Sequence, residues 1–434
     1  MKKAIALVTA LLLLCALISG CGASTAAEAE IQETDDRIIL SGDSASYSGS
    51  GVAISGNVIT VSTGGEYTFT GTLDNGQIIV DTGNDPTDVY IVLDDASITC
   101  LTAPAIYVLQ AEKAHLVTLS GTHNVLVSGT AADMENHNEN AAGGTVYSED
   151  DLDIEGEGSL EIYGYINNGI TCKDDLQLQG GSVSITAANN GIKASESVTI
   201  EGGSFSVISG NDGVKATSAK KEGKGYVEIS GGSLSIEAVG DGISAETYLN
   251  ISGGSVSVIS NGDPERGSCK ALKAKTAIDI SGGDIYVCSP DHAIHSTDTV
   301  SVSGGEISSV STMGKSLSSH GDTTVSGGAL VLNASGNPLD VKGKLYVTGG
   351  SILGAGGSQS VKVSPEEGSI GFIGVEVHGA AGDRISVASD AGTVAEMDAV
   401  CMYNIFICFD ESVVSGESYT VTAGESSVKA GASK

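Results

Sequence analysis

Pairs of adjacent glycines recur through the middle of the chain at a nearly constant interval. Successive pairs begin 22, 29, 22, 29, 22, 23 and 22 residues apart. A fixed period over eight such units is typical of a solenoid, because one unit is too short to bury its apolar side chains without its neighbours. The repeat therefore predicts a stack of similar units. The pairs begin at Gly180, Gly202, Gly231, Gly253, Gly282, Gly304, Gly327 and Gly349.

Apolar residues alternate with small polar residues on both sides of each glycine pair. Around the first pair, Leu176 and Leu178 precede the glycines, and Val183 and Ile185 follow them. Side chains alternate between the two faces of a strand, so we expect each such couple to point toward the core. A third short strand follows an Asn-Gly or Asp-Gly step, such as the one at Asn190. Three strands and three corners in about 22 residues predict an all-β fold, a parallel β-helix.

The composition agrees with short strands joined by tight corners. The 434 residues include 60 glycines, 6 prolines and no tryptophan. The formal net charge is −33, which argues against nucleic acid as a partner and against binding to an anionic membrane through the protein surface. A surface of this sign attracts cations, and divalent cations in particular. The apolar residues are too regularly placed for a disordered acidic chain.

The first residues have the pattern of a secretory signal. Lys2 and Lys3 precede the apolar run Ala4–Ile18, and Ser19 and Gly20 stand directly before Cys21. This segment resembles the lipobox of bacterial lipoproteins, and the resemblance implies a lipid on Cys21. An ordinary signal with an incidental cysteine is the alternative. We therefore expect a signal peptide over 1–20, a tether over 21–36, and a protein anchored by lipid at the extracellular face of the bacterial membrane.

The rest of the chain divides by the regularity of the repeat. We predict a parallel β-helix with an N-terminal β cap over 37–357, and a small C-terminal β cap or subdomain over 358–434. The polar segment Ala131–Gly144 predicts a surface loop. Two of the glycine intervals carry a seven-residue insertion, at Ser218–Gly225 and Asn261–Cys269. These insertions are expected to leave the solenoid as loops at different corners.

Two sets of acidic residues are candidates for metal ligands. Stacking of the turns brings Asp150 and Asp151 over Asp174 and Asp175 at one corner, with Glu196 next. Carboxylates at this spacing repel one another unless a cation neutralises them, and Ca²⁺ takes oxygen ligands. This corner is the first calcium candidate. The second is Asp212 with Asp241, in a ladder that also contains Asn190 and continues to His292 and Asn337. Because Asn and Asp also stabilise turns, a purely structural role remains the alternative at both places.

Basic and aromatic residues at equivalent positions are candidates for contacts with a sugar. Lys193 and Lys215 are expected to point outward on adjacent turns, with Lys273 farther along, where they would bind carboxylates of an acidic glycan. Ion pairs with nearby acids in solvent are the alternative. Tyr226 and Tyr248 occupy one position on adjacent turns and predict a short stacking platform.

Short motifs outside the glycine pairs follow a recognisable order. They are Gly65–Gly76, Val89–Ser97, Val117–Asn124, Val146–Leu152, Gly156–Leu160, Asn168–Leu176 and Gly416–Tyr419. Together they resemble the bacterial cell-surface carbohydrate-binding β-helix family. The resemblance implies a right-handed parallel β-helix that contains calcium and binds acidic plant polysaccharide, polygalacturonate above all.

The sequence thus leaves hypotheses of different classes open. The first is a lipid-anchored protein that binds an acidic polysaccharide with calcium and does not cut it. The second is a calcium-dependent polysaccharide lyase, for which Arg266 in the second insertion would be the basic residue. A surface adhesin with a protein partner is the third. The β-helix supports several functions, so the lyase hypothesis rests on analogy with other proteins of this fold.

Overall fold

A computed structural model describes residues 37–136 and 143–433 of the chain. The predicted signal peptide, the lipid-bearing Cys21 and the tether lie outside these residues. The described residues form sheets of 23, 13 and 4 strands. Among them the only helical segment is a short 3₁₀-helix at Ala131–Asn136, and no helix is long and apolar enough to span a bilayer.

The strands that precede the glycine pairs form one parallel array, which we call stack A. Each strand pairs with the equivalent strand of the next turn, as Leu176 does with Val198. The first two and the last three strands of stack A are long and run on into the next array. Its strands are Gly65–Leu73, Val89–Cys100, Ala114–Thr118, Leu152–Gly156, Asp175–Leu178, Ser197–Ile200, Tyr226–Ile229, Tyr248–Ile251, Ala277–Ile280, Thr299–Ser311, Thr323–Ala334 and Leu345–Gly356.

The strands that follow the glycine pairs form a second parallel array, stack B. Here Val183 pairs with Phe205 of the next turn. The second halves of the five long strands belong to this array, which therefore shares the 23-stranded sheet with stack A. Its other strands are Arg37–Gly42, His123–Ser128, Ser159–Gly164, Ser182–Ala187, Ser204–Ser209, Ser233–Ala238, Ser255–Ser260 and Asp284–Ser289.

The short strands after the Asn-Gly and Asp-Gly steps form the 13-stranded sheet, stack C. Ile192 pairs in parallel with Val214 of the next turn. The strands are Val52–Ser55, Val58–Val61, Gln77–Asp81, Ile106–Gln110, Gly144–Ser148, Asn168–Cys172, Ile192–Ala194, Val214–Ala216, Ile243–Ala245, Leu272–Ala274, Ile294–Ser296, Leu317–Ser319 and Leu339–Val341.

The alternation of side chains produces the core. In each turn the residues predicted to face inward are buried, and Leu176, Val183 and Ile192 are at most 2% exposed. The glycine pairs form the corner between stacks A and B. The second glycine of each pair has a positive φ, as Gly203 does at 77°, and a side chain on Gly202 would meet the carbonyl of Gln179 at 2.5 Å. The repeat therefore needs glycine at both positions.

Antiparallel strands cover both ends of the array. At the start, Arg37–Gly42 pairs with Ser44–Ser46. At the other end, Tyr403–Phe409 pairs with both Leu345–Gly356 and Phe372–Gly379. A separate apolar cluster packs there beside a four-stranded antiparallel sheet. That sheet consists of Arg384–Ser389, Gly392–Asp398, Ser418–Ala423 and Ser426–Gly431.

The structure confirms the predicted all-β solenoid-like fold with long parallel sheets. The two insertions leave the array at different corners, as predicted. The first lies between Val214–Ala216 of stack C and Tyr226–Ile229 of stack A, and the second joins Ser255–Ser260 of stack B to Leu272–Ala274 of stack C. Part of the predicted loop Ala131–Gly144 is the 3₁₀-helix, and residues 137–142 lie outside the described residues.

Candidate functional site

Carboxylates converge at the corner between stacks C and A. Asp151 stands directly before one strand of stack A, and Asp174 and Asp175 stand at the same corner of the next turn. One carboxylate oxygen of each lies within 4.8 Å of those of the other two. We call these three residues, together with Glu196 of the following turn, the acidic corner. Its oxygens are the ligand type that Ca²⁺ takes.

Backbone and hydroxyl donors also bind this corner. Asp151 Oδ1 accepts a hydrogen bond from the Asp175 backbone N–H at 3.1 Å. Asp175 Oδ1 accepts one from the Ser197 hydroxyl at 2.6 Å. Asp150, the fourth predicted ligand of this corner, instead accepts a bond from the Ala111 N–H at 2.9 Å and is not one of the three converging residues. These hydrogen bonds hold successive turns together.

The charge at the acidic corner is incompletely compensated. Burial, the hydrogen bond to Glu196 and the charges of Glu196 and Asp151 raise the pKa of Asp174 to about 6. Burial also disfavours the Glu196 anion, but hydrogen bonds to Asp174 and to two lysines outweigh it and lower the Glu196 pKa. Burial and the repulsion between like charges that share a site therefore both oppose ionisation of Asp174.

The first insertion supplies the cations. Residues Lys220–Gly225, which we call the lysine strap, lie against the acidic corner. Lys221 Nζ is 3.8 Å from Asp174 Oδ1 and also pairs with Glu196. Lys224 pairs with Asp175 and lies 3.2 Å from Glu196 Oε2. Two ammonium groups of the chain therefore occupy the surroundings in which a divalent cation would be bound.

The predicted Asn/Asp ladder is present at the corner between stacks B and C. The side chains of Asn190, Asp212 and Asp241 are almost completely buried. Asn190 Oδ1 accepts the Asp212 N–H at 3.3 Å, and Asp212 Oδ1 accepts the Asp241 N–H at 2.7 Å. Each side chain thus binds the backbone of the next turn, which is the structural role that the sequence left open. The register also places His292 and Asn337 at this position of later turns.

The predicted lysine row lies on the outward face of stack C. Lys193 pairs in register with Lys215, and Lys273 follows two turns later. Lys215 Nζ is 2.6 Å from Asp212 Oδ2, and Lys273 Nζ is 2.7 Å from Asp241 Oδ2. Both lysines therefore neutralise the buried ladder, which matches the ion-pair alternative.

Lys193 differs from the other two lysines of the row. It is partly buried, and among the described residues it makes no ion pair within 4 Å. Burial, followed by the charges of Lys215 and Lys173, lowers its pKa. It is therefore the member of the row whose ammonium group has most to gain from an added carboxylate.

The two predicted tyrosines stack on each other. The ring centroids of Tyr226 and Tyr248 are 4.8 Å apart and the rings are nearly parallel, at 5°. They lie at the corner between stacks C and A, on turns that follow the acidic corner, because Tyr226 pairs in register with Ser197, which itself pairs with Asp175. One face of each ring is occupied by the other ring, and both residues are partly exposed.

Arg266 lies in the second insertion, as expected. Its side chain is 87% exposed, and its Nε is 3.4 Å from Asp263 Oδ2. Both residues border an open groove of about 320 Å³ that is also lined by Asn211 and Val239. No acidic triad lies beside the groove within the described residues. The converging triad is Asp151, Asp174 and Asp175 of the acidic corner, not a group at the groove.

A further polar cluster on stack A was missed by the sequence analysis. His115 Nδ1 lies 2.7 Å from Glu155 Oε1, and the imidazole stacks on Tyr90 at 4.2 Å. The neighbouring Asp153 is 4% exposed; burial raises its pKa, although Lys113 Nζ pairs with it at 2.7 Å. The imidazole Nε2 and one oxygen of Asp153 are buried without a hydrogen-bond partner in the structure.

The irregular spacing of the early turns explains why this cluster was missed. Leu152 pairs with Ala114, which is 38 residues earlier (152 − 114), whereas the regular interval is 22. A repeat drawn from the glycine pairs therefore does not align His115 with Asp153. The alternating pattern of each strand was the one available signal. It predicts which face of the sheet a side chain points to, but not which residue lies next to it on the following turn.

Comparison with known proteins adds family information to this geometry. The sequence profile of a family described as "Carbohydrate-binding domain-containing protein" matches residues 55–314, more than half of the chain. A protein of Acetivibrio thermocellus with the same description is 32% identical over 174 residues, which is 39% of this chain and 60% of the relative's length. The chain therefore spans less than two thirds of that relative.

One solved structure also shows a likeness. It is described as the polysaccharide lyase-like protein from C. thermocellum, in a gadolinium derivative. The sequence identity is 28% and the TM-score is 0.45, over 63% of this chain and 94% of that chain.

Proposed function

This chain belongs to the carbohydrate-binding domain-containing protein family, and from that premise we propose that it binds an acidic, polygalacturonate-like polysaccharide with calcium and does not cut it. The observation that carries the calcium part is the convergence of Asp151, Asp174 and Asp175 within 4.8 Å. A divalent cation there would counter both the burial and the neighbouring carboxylates that raise the pKa of Asp174.

Calcium would also resolve a conflict of charge between protein and ligand. A chain with a formal net charge of −33 repels a polyanion at long range. A cation held at the acidic corner presents positive charge at the surface and keeps coordination positions for uronate oxygens. The neighbouring Tyr226 and Tyr248 would then contact the faces of sugar rings, and Lys193 and Lys215 on stack C would bind further carboxylates.

The remaining parts of the proposal follow the sequence analysis. Asp150, Asp212 and Asp241 stay predicted calcium ligands; at the last two, calcium would have to displace Lys215 and Lys273.

We place the protein on the extracellular face of the membrane through a lipid on Cys21, with no nucleic acid as partner. We also take the solenoid to have turns of about 22 residues and to be right-handed, as parallel crossover connections nearly always are.

Calorimetric titration of the purified chain with polygalacturonate, with calcium and with a chelator, tests the proposal. We expect saturable binding in calcium and none in the chelator. The double substitution Asp174→Asn and Asp175→Asn should abolish the calcium-dependent part. Asp298→Asn is the matched control, because Asp298 stands at the same corner of a later turn and is exposed.

The outcomes separate the three hypotheses. Absorbance recorded during the titration would reveal the unsaturated sugar ends that a lyase leaves, and its increase would overturn the non-catalytic reading and direct mutagenesis to Arg266. No binding in either condition would reject an acidic glycan and favour an adhesin with a protein partner. Binding that persists in the chelator would reject the role of calcium.

A further inference from the structure

Three of the chain's 7 histidines gather on stack C, far along the chain from the acidic corner. His292 stands just before the strand Ile294–Ser296, His295 is the outward residue of that strand, and His320 follows the equivalent strand of the next turn. The ring centroids of His292 and His295 are 5.3 Å apart, and those of His295 and His320 are also 5.3 Å apart. We call these residues the histidine cluster.

The ring geometry resembles that of imidazoles that share a metal ion. Both ring pairs are close to perpendicular, at 74° and 83°. With metal–nitrogen bonds of about 2.0–2.1 Å and tetrahedral angles, the centroids of two coordinating imidazoles lie about 5 Å apart. The two measured separations agree with this value, but the nitrogens of the three rings do not all lie within 4.8 Å of one another in the structure, so a shared ion requires the rings to turn toward it. His295 is the central ring and is common to both pairs.

The surroundings of His292 favour the ligand form of its ring. His292 Nδ1 lies 3.0 Å from Asp291 Oδ1, but it is buried without a hydrogen-bond partner, and Asp291 Oδ1 accepts the His292 backbone N–H at 2.8 Å instead. This ring nitrogen therefore lacks the contact that burial normally requires. Asp291 is in turn fixed by Lys270 Nζ at 2.5 Å. Because the Lys270 ammonium group pairs with Asp291, it repels a bound cation less than an unpaired ammonium group would.

His295 has the same feature. Its Nδ1 is buried and has no hydrogen-bond partner in the structure, so a ring nitrogen is left without the contact that burial normally requires. Burial, then the charges of His292, Lys270 and His320, lowers its pKa to about 4. A bound cation would give the His295 Nδ1 the partner that it lacks.

We propose that the histidine cluster binds a divalent transition-metal ion such as zinc or nickel, with His295 as the central ligand and His292 and His320 on either side. The His320 side chain is exposed, so rotation about its side-chain bonds brings a nitrogen toward the ion at little steric cost. Water completes the coordination. Imidazole nitrogens suit zinc, nickel and copper, whereas the oxygens of the acidic corner suit calcium. The two sites therefore select different ions, and this proposal is independent of the polysaccharide proposal.

Calorimetric titration of the chain, purified without a histidine tag, with zinc chloride tests the site. Excess calcium is present throughout so that oxygen sites are filled. We expect one saturable zinc event, and a loss of affinity of at least about tenfold in His295→Ala and in His320→Ala. His320→Ala keeps the test valid if the more buried position does not tolerate substitution, and circular dichroism of each variant reports folding.

His378→Ala is the matched control, because His378 is exposed and bonds to Asn404 in the C-terminal module. Its zinc affinity should equal that of the unchanged chain. Titration with cobalt(II) should produce the visible absorbance of nitrogen-coordinated ion, and His295→Ala should remove it. The absence of saturable zinc binding, or equal affinity in the His295→Ala, His320→Ala and unchanged proteins, would overturn the proposal.

Discussion

At the scale of single residues, the state of each acid is set by the residues stacked next to it. In a parallel β-helix equivalent positions of successive turns lie about 4.8 Å apart, so a side chain reaches the backbone or the charge of the next turn. Asp212 and Asp241 each receive a backbone N–H and an ammonium group. Asp174 instead meets other carboxylates, while Lys221 acts to lower its pKa. Burial and these neighbouring carboxylates together therefore raise the pKa of Asp174.

The first prediction concerns Asp174→Asn and the pH dependence of stability. The folded pKa, about 6, is above the unfolded value, so the folded state binds the extra proton between about pH 4 and pH 6. The stability of the unchanged protein should therefore fall relative to the variant as the pH rises through this window. Because the Asp174 side chain is 39% exposed, solvent screening limits the difference to about 1 kcal/mol or less.

Thermal unfolding of both proteins at pH 4 and pH 7, in a chelator, measures this effect. The Asn variant should have the higher melting temperature at pH 7, and the gap should close at pH 4. Calcium at pH 7 should raise the melting temperature of the unchanged protein more than that of the variant. A gap that is the same at both pH values would show that Asp174 is not the titrating group.

The second prediction concerns the buried ladder. Asp241→Ala leaves the Lys270 N–H and the Lys273 ammonium group without their acceptor, and it also removes the bond from the Ser268 hydroxyl. Loss of one partner of a buried pair is costly, so the free energy of unfolding should fall by about 2–4 kcal/mol. Urea unfolding followed by circular dichroism measures it. Asp284→Ala, at an exposed strand position, is the control, and an equal loss there would refute the argument.

At the scale of elements, the repeat determines the strands, and the insertions determine the site. The apolar alternation and the glycine pairs were enough to predict the inward residues, since a shift of one residue would expose the whole set. The region 358–434, for which β structure was predicted, also contains strands such as Arg384–Ser389 and Tyr403–Phe409. These features depend on local sequence, which is why they were predictable.

Contacts of the insertions were not predictable in the same way. Lys224 and Asp175 are 49 residues apart, and no periodicity specifies where an irregular loop folds back. The sequence predicted loops at different corners, but not that one loop would place its lysines on the acidic corner. In the C-terminal module, strands such as Phe372–Gly379 were missed because they follow no repeat and pair in antiparallel fashion.

The third prediction concerns the lysine strap. If calcium enters the acidic corner, it competes with Lys221 and Lys224, so the double substitution to alanine should strengthen calcium binding about tenfold or more. Without calcium the same variant should be less stable, because Asp175 and Glu196 lose their ion pairs. Calorimetric titration with calcium chloride and thermal unfolding in a chelator measure the two effects.

Lys220→Ala is the matched control for the strap. Lys220 belongs to the same loop, is exposed, and makes no ion pair within 4 Å among the described residues. It should leave both calcium affinity and stability unchanged. Calcium affinity that does not change in the double variant would place the calcium site elsewhere and would weaken the proposed function with it.

At the scale of the whole molecule, the open ends of the sheets are the main hazard. A parallel array ends in backbone groups that have no partner unless another element covers them, and such an edge templates association with a second copy. Here Ile352–Gly356 of the last long strand pair with Ile405–Phe409. Within that segment, the side chains of Leu353 and Ala355 are buried in the C-terminal apolar cluster. The C-terminal module thus satisfies the edge and covers its apolar side chains at once.

The fourth prediction follows from this closure. A chain that ends at Gly357 should keep a folded array but self-associate, because the edge of Leu345–Gly356 and the apolar Leu353 become exposed. Light scattering coupled to size-exclusion chromatography, over a range of concentrations, should show dimers or larger species where the complete chain is monodisperse. Ala355→Lys in the shortened chain places a charge on the same edge and should reduce the association, as charged residues on natural edge strands do. A shortened chain that stays monomeric without that lysine would show that the C-terminal module is not needed to protect the edge. The repulsion between strongly acidic surfaces would then be what keeps the shortened chains apart.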